Sequence, residues 1–228
     1  MKNYIEKKQN ELEVHLKDIE NIIYEQNIPL EGNIFYHHQS SRRKEGDKLI
    51  RCDRFLAKQT NMFWCGTTAN KKICEIGFNA GHSCLLLLLG RDFSHLEFTI
   101  FDIARHKYTI PCFEYIQSKF PHITFEIIKG SSVIEMPKWI TDNSGAYNTY
   151  DIVHIDGGHS EECIKNDFEN SLKLIKIGGI IIIDDTDSSH INKYVDLYLN
   201  TGYFKELQIM NTGGSANTFS HRMIKKIQ

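Results

Sequence analysis

Short apolar runs alternate with amphipathic segments over most of the chain. Five runs predict strands, at residues 73–76, 98–103, 124–128, 151–155 and 180–184. Apolar residues at helical spacing predict helices at 81–90, 109–119, 132–141, 160–175 and 190–200. The consecutive isoleucines at 180–183 are typical of a parallel strand that is buried on both faces. The alternation therefore predicts an α/β fold with a doubly wound, mostly parallel sheet.

The two ends of the chain differ from this middle part. Residues 2–26 and 47–65 each predict a helix. We interpret residues 1–70 as a helical cap on the same domain as residues 71–228, because no linker rich in Pro, Gly or Ser divides them. Further strands are predicted at 204–210 and 218–226, with a turn at Gly213-Gly214. This closing hairpin would complete seven strands and add a C-terminal antiparallel strand to the sheet.

Composition and charge exclude several classes of protein. The 228 residues carry a net charge of −2 and no stripe of lysine or arginine, so a nucleic acid partner is not expected. The six cysteines are scattered without a C-x-x-C pair, which favours a reducing, cytoplasmic setting over a disulfide framework. The N-terminus is too polar for a signal peptide, and the apolar runs are too short to span a membrane.

The most informative motif lies where the first strand of the sheet meets the following helix. Residues 75–83 read Glu-Ile-Gly-Phe-Asn-Ala-Gly-His-Ser, with glycines at Gly77 and Gly81 only. Glycine allows a ligand to approach the backbone closely, and the N–H groups of a helix start attract anions. The spacing lacks the third glycine of the G-x-G-x-x-G turn that binds dinucleotides. A nicotinamide cofactor is therefore disfavoured.

Polar residues follow each of the predicted parallel strands. They are Glu75, Asp102, the Gly130-Ser131-Ser132 run, Asp156 and the Asp184-Asp185 pair. Ligands of such sheets bind at the carboxyl ends of the strands, so these side chains are expected to surround one site.

The turn at 75–83 resembles motif I of the class I methyltransferases that depend on S-adenosylmethionine (SAM). The resemblance covers residues 70–228 and implies a Rossmann-like fold and SAM as the methyl donor. It places the methionine part of SAM against Gly77 and Gly81. Ser83 could donate to the SAM carboxylate or cap the helix. Glu75 could orient the turn or approach the SAM ammonium group.

Two further strand ends are expected to hold the rest of the cofactor. Asp102 offers a carboxylate that can accept two hydrogen bonds from the vicinal ribose hydroxyls. The alternative for Asp102 is a helix cap or a solvated loop. By the resemblance, Ser132, with Ser131 next, contacts the adenine. The alternative for these serines is capping of the helix that follows.

The acids after the fourth and fifth strands indicate a cation site. Strands that neighbour each other lie about 4.8 Å apart, so Asp156, Asp184 and Asp185 can converge. Converging carboxylates repel one another unless a proton or a cation lies between them, and an all-oxygen site suits Mg²⁺ or another hard divalent ion. His154, inside the fourth strand, is interpreted as a satisfied core histidine.

This acidic set is similar to that of the metal-dependent O-methyltransferases, of which catechol O-methyltransferase is a member. That family has an aspartate at the place of Asp156 and an Asp-Asn pair at 184 and 185. The set of three aspartates in this chain resembles that of the O-methyltransferases that act on antibiotic sugars. The family's general base is a lysine three positions after the first aspartate, where this chain has His159. A histidine can accept a proton at neutral pH. His159 could also be a ligand, and the Gly157-Gly158 pair leaves metal dependence open.

We therefore expect a SAM-dependent O-methyltransferase with a small hydroxyl acceptor, either a sugar or glycoside or a catechol-like compound. Catalysis is assigned to His159 and Asp156, and metal binding to Asp156, Asp184 and Asp185. A metal-free enzyme that uses His159 alone and a non-catalytic SAM-binding module are the alternatives. The loop residues His37-His38 and Arg42-Arg43 could contact an anionic acceptor or lie in solvent. Family habit suggests a homodimer.

Overall fold

The fold is a three-layer α/β sandwich, seen in a computed structural model that describes residues 2–37, 49–207 and 221–228, without the side chains of 2–6. Its seven strands are β1 (Lys72–Ile76), β2 (Leu96–Asp102), β3 (Ile123–Lys129), β4 (Tyr150–Ile155), β5 (Ile175–Asp184), β6 (Phe204–Glu206) and β7 (His221–Lys226). They form one sheet in the order β3-β2-β1-β4-β5-β7-β6. The strands β1 to β5 pair in parallel, and β7 is antiparallel to both of its neighbours. The predicted sheet with its C-terminal antiparallel strand is confirmed.

Helices cover both faces of this sheet. They are α1 (Lys2–Glu25), α2 (Leu56–Thr68), α3 (His82–Leu89), α4 (Thr109–Lys119), α5 (Ser132–Asp142), α6 (Glu161–Leu174) and α7 (Ser189–Asn200), with short 3-10 turns at Asp53–Phe55 and Ser144–Ala146. One apolar core lies between the sheet and helices α1 to α4, and a second lies between the sheet and helices α5 to α7. Among the helices in the described ranges, none is long and apolar enough to cross a membrane.

The second helix of the predicted cap begins later than expected. We predicted a helix from residue 47, but residues 49–52 are extended and α2 starts at Leu56. The cause is backbone pairing with the preceding segment, because Tyr36 and Arg51 form a β-bridge. The Cys52 N–H also donates to the Phe35 carbonyl at 3.0 Å. Extended pairing thus competes with the helical spacing of the side chains.

Close backbone contact fixes α2 on α3. A Cβ atom added to Gly66 would lie 2.1 Å from the Leu87 carbonyl oxygen, so the two helices approach more closely than any larger residue allows. This packing aims the first turn of α2 at the carboxyl ends of the strands. The Gly213-Gly214 turn and the residues His38, Arg42 and Arg43 lie outside the described residues.

Candidate active site

A cavity of about 940 Å³ opens at the carboxyl ends of the parallel strands. Of the predicted site residues, its lining includes Gly77, Ser83, Asp102, Ser131, Ser132, Asp156, His159, Asp184 and Asp185. The cap contributes residues from the segment after α1 and from the start of α2, among them Tyr36, Arg54 and Lys58. The strand ends and the cap therefore enclose one continuous space.

The glycine-rich turn is built by close backbone contacts. Gly77 has a φ of +90°, and a Cβ atom there would lie 2.0 Å from the Asp156 carbonyl oxygen. The Gly77 N–H donates to the Phe101 carbonyl at 2.8 Å, and the Asp156 N–H donates to the Ile76 carbonyl at 2.8 Å. The turn is thus held between the ends of β2 and β4. Gly81, with a φ of +78°, packs against apolar side chains behind the turn.

Asp102 holds the same turn from β2. Its Oδ2 accepts hydrogen bonds from the N–H groups of Phe78 at 2.7 Å and Asn79 at 2.9 Å. Its Oδ1 accepts from the Ala104 N–H at 2.6 Å. Asp102, which we predicted to bind the ribose, therefore stabilises the turn through its backbone contacts. Oδ2 already accepts two hydrogen bonds, whereas Oδ1 accepts one and keeps a second lone pair, so binding of the ribose by Asp102 stays a prediction.

A buried chain of polar side chains lies beneath the turn. Glu75 Oε1 accepts from Ser83 Oγ at 2.5 Å and from His154 Nδ1 at 3.0 Å. Glu75 and His154 are fully buried, and they face each other across the β1–β4 pair. The Ser83 proton is therefore directed to Glu75, away from the predicted SAM carboxylate. Glu75 supports the turn from below and does not line the cavity wall.

The adenine end of the predicted site lies at the start of α5. The Ser131 hydroxyl does not cap this helix, although Ser131 is its N-cap residue. The Ser132 hydroxyl hydrogen-bonds the buried Asp167 of α6, and burial raises the pKa of Asp167 to about 7. Ser131 is therefore the freer of the two serines to contact a base.

The structure divides the predicted acidic set into two groups that share Asp156. Donor atoms of His154, Asp156 and Asp184 lie within 4.8 Å of one another, and so do those of Asp156, His159 and Asp185. Asp184 and Asp185 serve different groups because successive residues at a strand end point in different directions. Asp185 also has a φ of +52°, in the left-handed region that few non-glycine residues adopt but that aspartate adopts more readily than most.

Lys58, a residue that sequence reasoning missed, contributes a cation to this acidic region. Its Nζ contacts Asp184 Oδ2, and both side chains are buried. Burial disfavours the Lys58 charge, but Asp184 and Asp156 outweigh it and raise the pKa of Lys58 above its ordinary value. The available signal was its place in α2, one and two turns before Met62 and Cys65, on the apolar side of the helix.

The two central aspartates carry different charges. Burial and the neighbouring Asp184 raise the pKa of Asp156 well above its ordinary value. Burial also opposes ionisation of Asp184, but the ammonium of Lys58 holds the pKa of Asp184 below its ordinary value. In the absence of a further cation, Asp156 is therefore the protonated member of the pair.

His159 lies at the rim of the cavity, where it contacts Asp185. Its Nε2 lies 2.7 Å from Asp185 Oδ2, and 61% of its side chain is exposed. The hydrogen bond to Asp185 raises the pKa of His159 above its ordinary value. His190 Nε2 lies 2.9 Å from the His159 carbonyl oxygen, so His190 supports this loop from behind. The contact with Asp185 fixes the orientation of the imidazole at the rim of the cavity.

The segment after α1 closes the cavity over the turn. Asn79 Nδ2 donates to the Gly32 carbonyl at 2.9 Å. The ring of His82, at the start of α3, packs edge-on against Phe35 and Tyr36 at centroid distances of 5.4 and 5.6 Å. Burial lowers the pKa of His82 to about 3, so this ring is neutral. The cap therefore excludes water from one side of the turn.

The donor atoms present suit a divalent cation. When Asp156 is ionised and His159 is neutral, three carboxylates and one ammonium leave two negative charges in this region. Asp184 Oδ1 is buried and has no hydrogen-bond partner among the described residues. Asp156, Asp184 and Asp185 could hold such an ion, and the cavity beside Gly77 and Asp102 has room for a nucleoside ligand.

Comparison with known proteins agrees with this geometry. Residues 74–186 match the sequence profile of a methyltransferase domain family. A search of curated protein sequences finds no match to the chain.

Solved structures share the fold at low sequence identity. Cofactor-bound Rv0187 from MTB is 13% identical with a TM-score of 0.61, covering 93% of this chain and 89% of its own. The O-methyltransferase TomG from Streptomyces achromogenes, solved with SAM, is 13% identical with a TM-score of 0.54, covering 75% and 80%. An rRNA methylase from Streptococcus thermophilus is 13% identical with a TM-score of 0.53, covering 74% and 95%. Neighbours of such different activities show the fold alone.

The motif I turn, the sheet order and the profile match agree on a methyltransferase domain over residues 74–186, as the resemblance to the class I, SAM-dependent methyltransferases predicts.

Proposed function

We propose that this protein transfers the methyl group of SAM to a hydroxyl group of a small molecule, with a sugar or glycoside favoured over a catechol-like compound. One observation carries the proposal. The backbone of Asp156 contacts Gly77 of the cofactor turn, and its side chain belongs to both acidic groups. The same residue therefore adjoins the predicted methyl donor and the predicted acceptor.

The residues of the chain divide the chemistry between them. Bound SAM supplies a methyl group that its sulfonium already makes reactive. Asp102 and the backbone of the turn fix the position of the donor, and the cap keeps water away from it. His159 accepts the acceptor's hydroxyl proton at Nδ1, while Asp185, which accepts a hydrogen bond from Nε2, orients the ring and stabilises the imidazolium that forms.

A divalent ion at the aspartates would bind the acceptor oxygens and lower the pKa of the hydroxyl group. Vicinal hydroxyls suit such binding because two neighbouring oxygens can contact one ion. The three-aspartate pattern, which resembles that of antibiotic-sugar enzymes, is the reason for preferring a sugar. Asp156 and Asp184 keep the negative charge of the region close to the acceptor.

A metal-free methyltransferase is the second candidate, and Lys58 favours it. The ammonium of Lys58 already neutralises one of the buried acids without any ion. In that case His159 alone would remove the proton from an oxygen or nitrogen acceptor.

Calorimetric titration of chelator-treated protein with SAM tests the proposal first. The same samples are then given Mg²⁺ and a panel of sugar and catechol acceptors, and the products are weighed by mass spectrometry. We expect SAM binding and a gain of one methyl group only when metal is present. A product without metal supports the second candidate, and SAM binding without product for any acceptor supports a non-catalytic module. Absence of SAM binding would contradict the whole proposal.

A further inference from the structure

The buried His154 side chain has one ring nitrogen with a partner and one without. Nδ1 lies 3.0 Å from the carboxylate oxygen Oε1 of Glu75, which accepts hydrogen bonds, and we therefore assign the ring proton to Nδ1. In a neutral imidazole the Nε2 atom then has a free lone pair. Nε2 is buried and has no hydrogen-bond partner within the ranges that the structure describes. The expected satisfied core histidine is therefore only half satisfied.

The acids that surround this lone pair supply further donor atoms. Asp156 and Asp184 offer oxygens that lie within 4.8 Å of a His154 ring nitrogen and of each other. Asp184 Oδ2 contacts Lys58, and the carboxyl group of Asp184 also faces that of Asp156, a pair that needs a shared proton or a cation between its members. The unpartnered His154 Nε2 and this pair of aspartates thus belong to one group. An unpaired buried acceptor is unfavourable unless a ligand satisfies it.

Glu75 resembles the supporting carboxylate of a histidine metal ligand. Histidines that bind metals usually donate their other N–H to a carboxylate or a carbonyl, which fixes the tautomer and the orientation of the ring. Glu75 makes this contact, and it is itself fixed by the Ser83 hydroxyl at 2.5 Å. Both residues are fully buried, so the ring cannot turn towards water.

We propose that His154 Nε2, together with Asp156 and Asp184, binds a first-row divalent ion such as Mn²⁺, Fe²⁺, Co²⁺ or Zn²⁺. The inference deepens the proposed function, because it concerns the identity of the ion at the same acids. Mg²⁺ prefers oxygen ligands only, while imidazole nitrogen suits the ions named above. Glu75 is the positioning residue that keeps Nε2 directed at the ion.

Pulsed electron paramagnetic resonance of bound Mn²⁺ tests this without altering His154. His159, the histidine of the second acidic group, is removed first by the His159→Gln substitution in the full-length protein. We expect the nitrogen coupling of a directly bound imidazole to remain in this variant. Loss of the coupling would assign the nitrogen to His159 and overturn the inference, and so would a bound Mn²⁺ without nitrogen coupling in either protein.

Calorimetry with Co²⁺ and Mg²⁺ gives a second test. The His154→Gln variant keeps a donor for Glu75 but loses the nitrogen lone pair, so we expect Co²⁺ to bind about 10–100-fold more weakly. Mg²⁺ affinity should change about threefold or less, because its ligands are oxygens. His221→Gln is the matched control, since His221 is also buried and pairs with Asp184 across β5 and β7. Equal Co²⁺ affinity in folded His154→Gln and wild-type protein would overturn the inference.

SAM titration of the same samples separates this inference from the proposed function. If SAM binds and metal does not, the inference fails and the methyltransferase stands as the metal-free candidate. If metal binds through His154 and SAM does not, the inference stands and the proposed function fails.

Discussion

Lys58 Nζ lies against Asp184 Oδ2, and both side chains are buried. A cation from the cap helix α2 therefore neutralises an acid at the end of the sheet strand β5. Through this contact, the cap contributes a positive charge to the site in addition to covering it.

Lys58→Met should lower both stability and activity. Removing one partner of a buried ion pair leaves an uncompensated charge on Asp184 and costs about 3–5 kcal/mol in the free energy of unfolding. Methyl transfer should fall by about 100-fold or more with an oxygen acceptor, because the charge beside the acceptor changes. Urea unfolding and initial rates at saturating SAM measure these effects. The exposed Lys138→Met is the control.

A double-mutant cycle checks the physical reason. Lys58→Met combined with Asp184→Asn removes both charges, so stability should recover most of the loss seen in Lys58→Met. Additive losses in the double variant would show that Lys58 stabilises the protein by packing and not by pairing.

Gly77→Ala should abolish SAM binding and destabilise the protein by at least about 2 kcal/mol, because the site demands a positive φ. The added Cβ would also lie 2.0 Å from the Asp156 carbonyl oxygen. This oxygen belongs to the main chain, so it cannot move aside as a flexible side chain could. Gly145→Ala is the matched control, since a Cβ there meets nothing within 4 Å. SAM calorimetry and thermal unfolding of the two variants make the comparison, and equal behaviour would contradict the structure of the turn.

Asp102→Asn should weaken SAM binding by about 10–100-fold, because charge-assisted hydrogen bonds to the turn and to the ribose are lost. The oxygen that accepts from Phe78 and Asn79 would become neutral, and the Ala104 N–H would face an NH2 group in place of an acceptor. Calorimetry with SAM and with methionine distinguishes the two contributions. A loss for SAM alone supports ribose binding, whereas a loss for both ligands indicates that Asp102 acts only through the turn.

His159→Gln should lower the maximal rate of methyl transfer by about 10²–10⁴-fold if His159 is the base. SAM affinity should stay within about threefold, since the His159 side chain is largely exposed at the rim and contacts Asp185. Single-turnover rates with radiolabelled SAM measure the chemical step, and the exposed His122→Gln serves as control. An unchanged rate would remove His159 from catalysis.

Asp167 makes stability depend on pH in a defined direction. Burial raises the pKa of Asp167 to about 7 in the folded protein, while the unfolded chain keeps the ordinary value of 3.8. Stability from this group is therefore complete below pH 3.8 and is lost as the pH rises towards 7.

Asp167→Asn should remove this dependence. The variant should exceed the wild type in unfolding free energy at pH 8 by up to about 4 kcal/mol, and the difference should shrink as the pH falls. Urea unfolding at pH 5 and pH 8 measures it, with the exposed Asp142→Asn as control. A wild-type protein that gains stability on going from pH 5 to pH 8, relative to Asp167→Asn, would contradict the raised pKa.

The parallel core was predictable because its apolar runs are local signals. The isoleucines of β5 and the turn after β1 show where these strands end. The carboxyl ends of parallel strands lie along one edge of the sheet, so Asp156 and Asp184 are expected to lie close together. The start of α2 was not predictable in this way, because Arg51 pairs with Tyr36 far away in the sequence. Lys58 was missed for the same reason, since its partner lies more than a hundred residues further on.

Several expectations stay predictions. They are the roles of the individual site residues, the division between residues 1–70 and 71–228, the metal, the acceptor, the homodimer and the lack of nucleic acid and membrane partners. The structure does alter how three side chains are interpreted. Asp102 organises the turn, Ser83 contacts Glu75, and His154 keeps one ring nitrogen unpaired.

The contact between Gly77 and the Asp156 carbonyl has a consequence for how such an enzyme can diverge. It joins the donor half and the acceptor half of the site through main-chain atoms, so the geometry of transfer does not depend on the side chains that select a substrate. The cap side chains of Tyr36 and Arg54 line the same cavity, and we expect the substrate to be selected there. Descendants could therefore exchange the cap residues for a new acceptor while inheriting the alignment of the reaction unchanged.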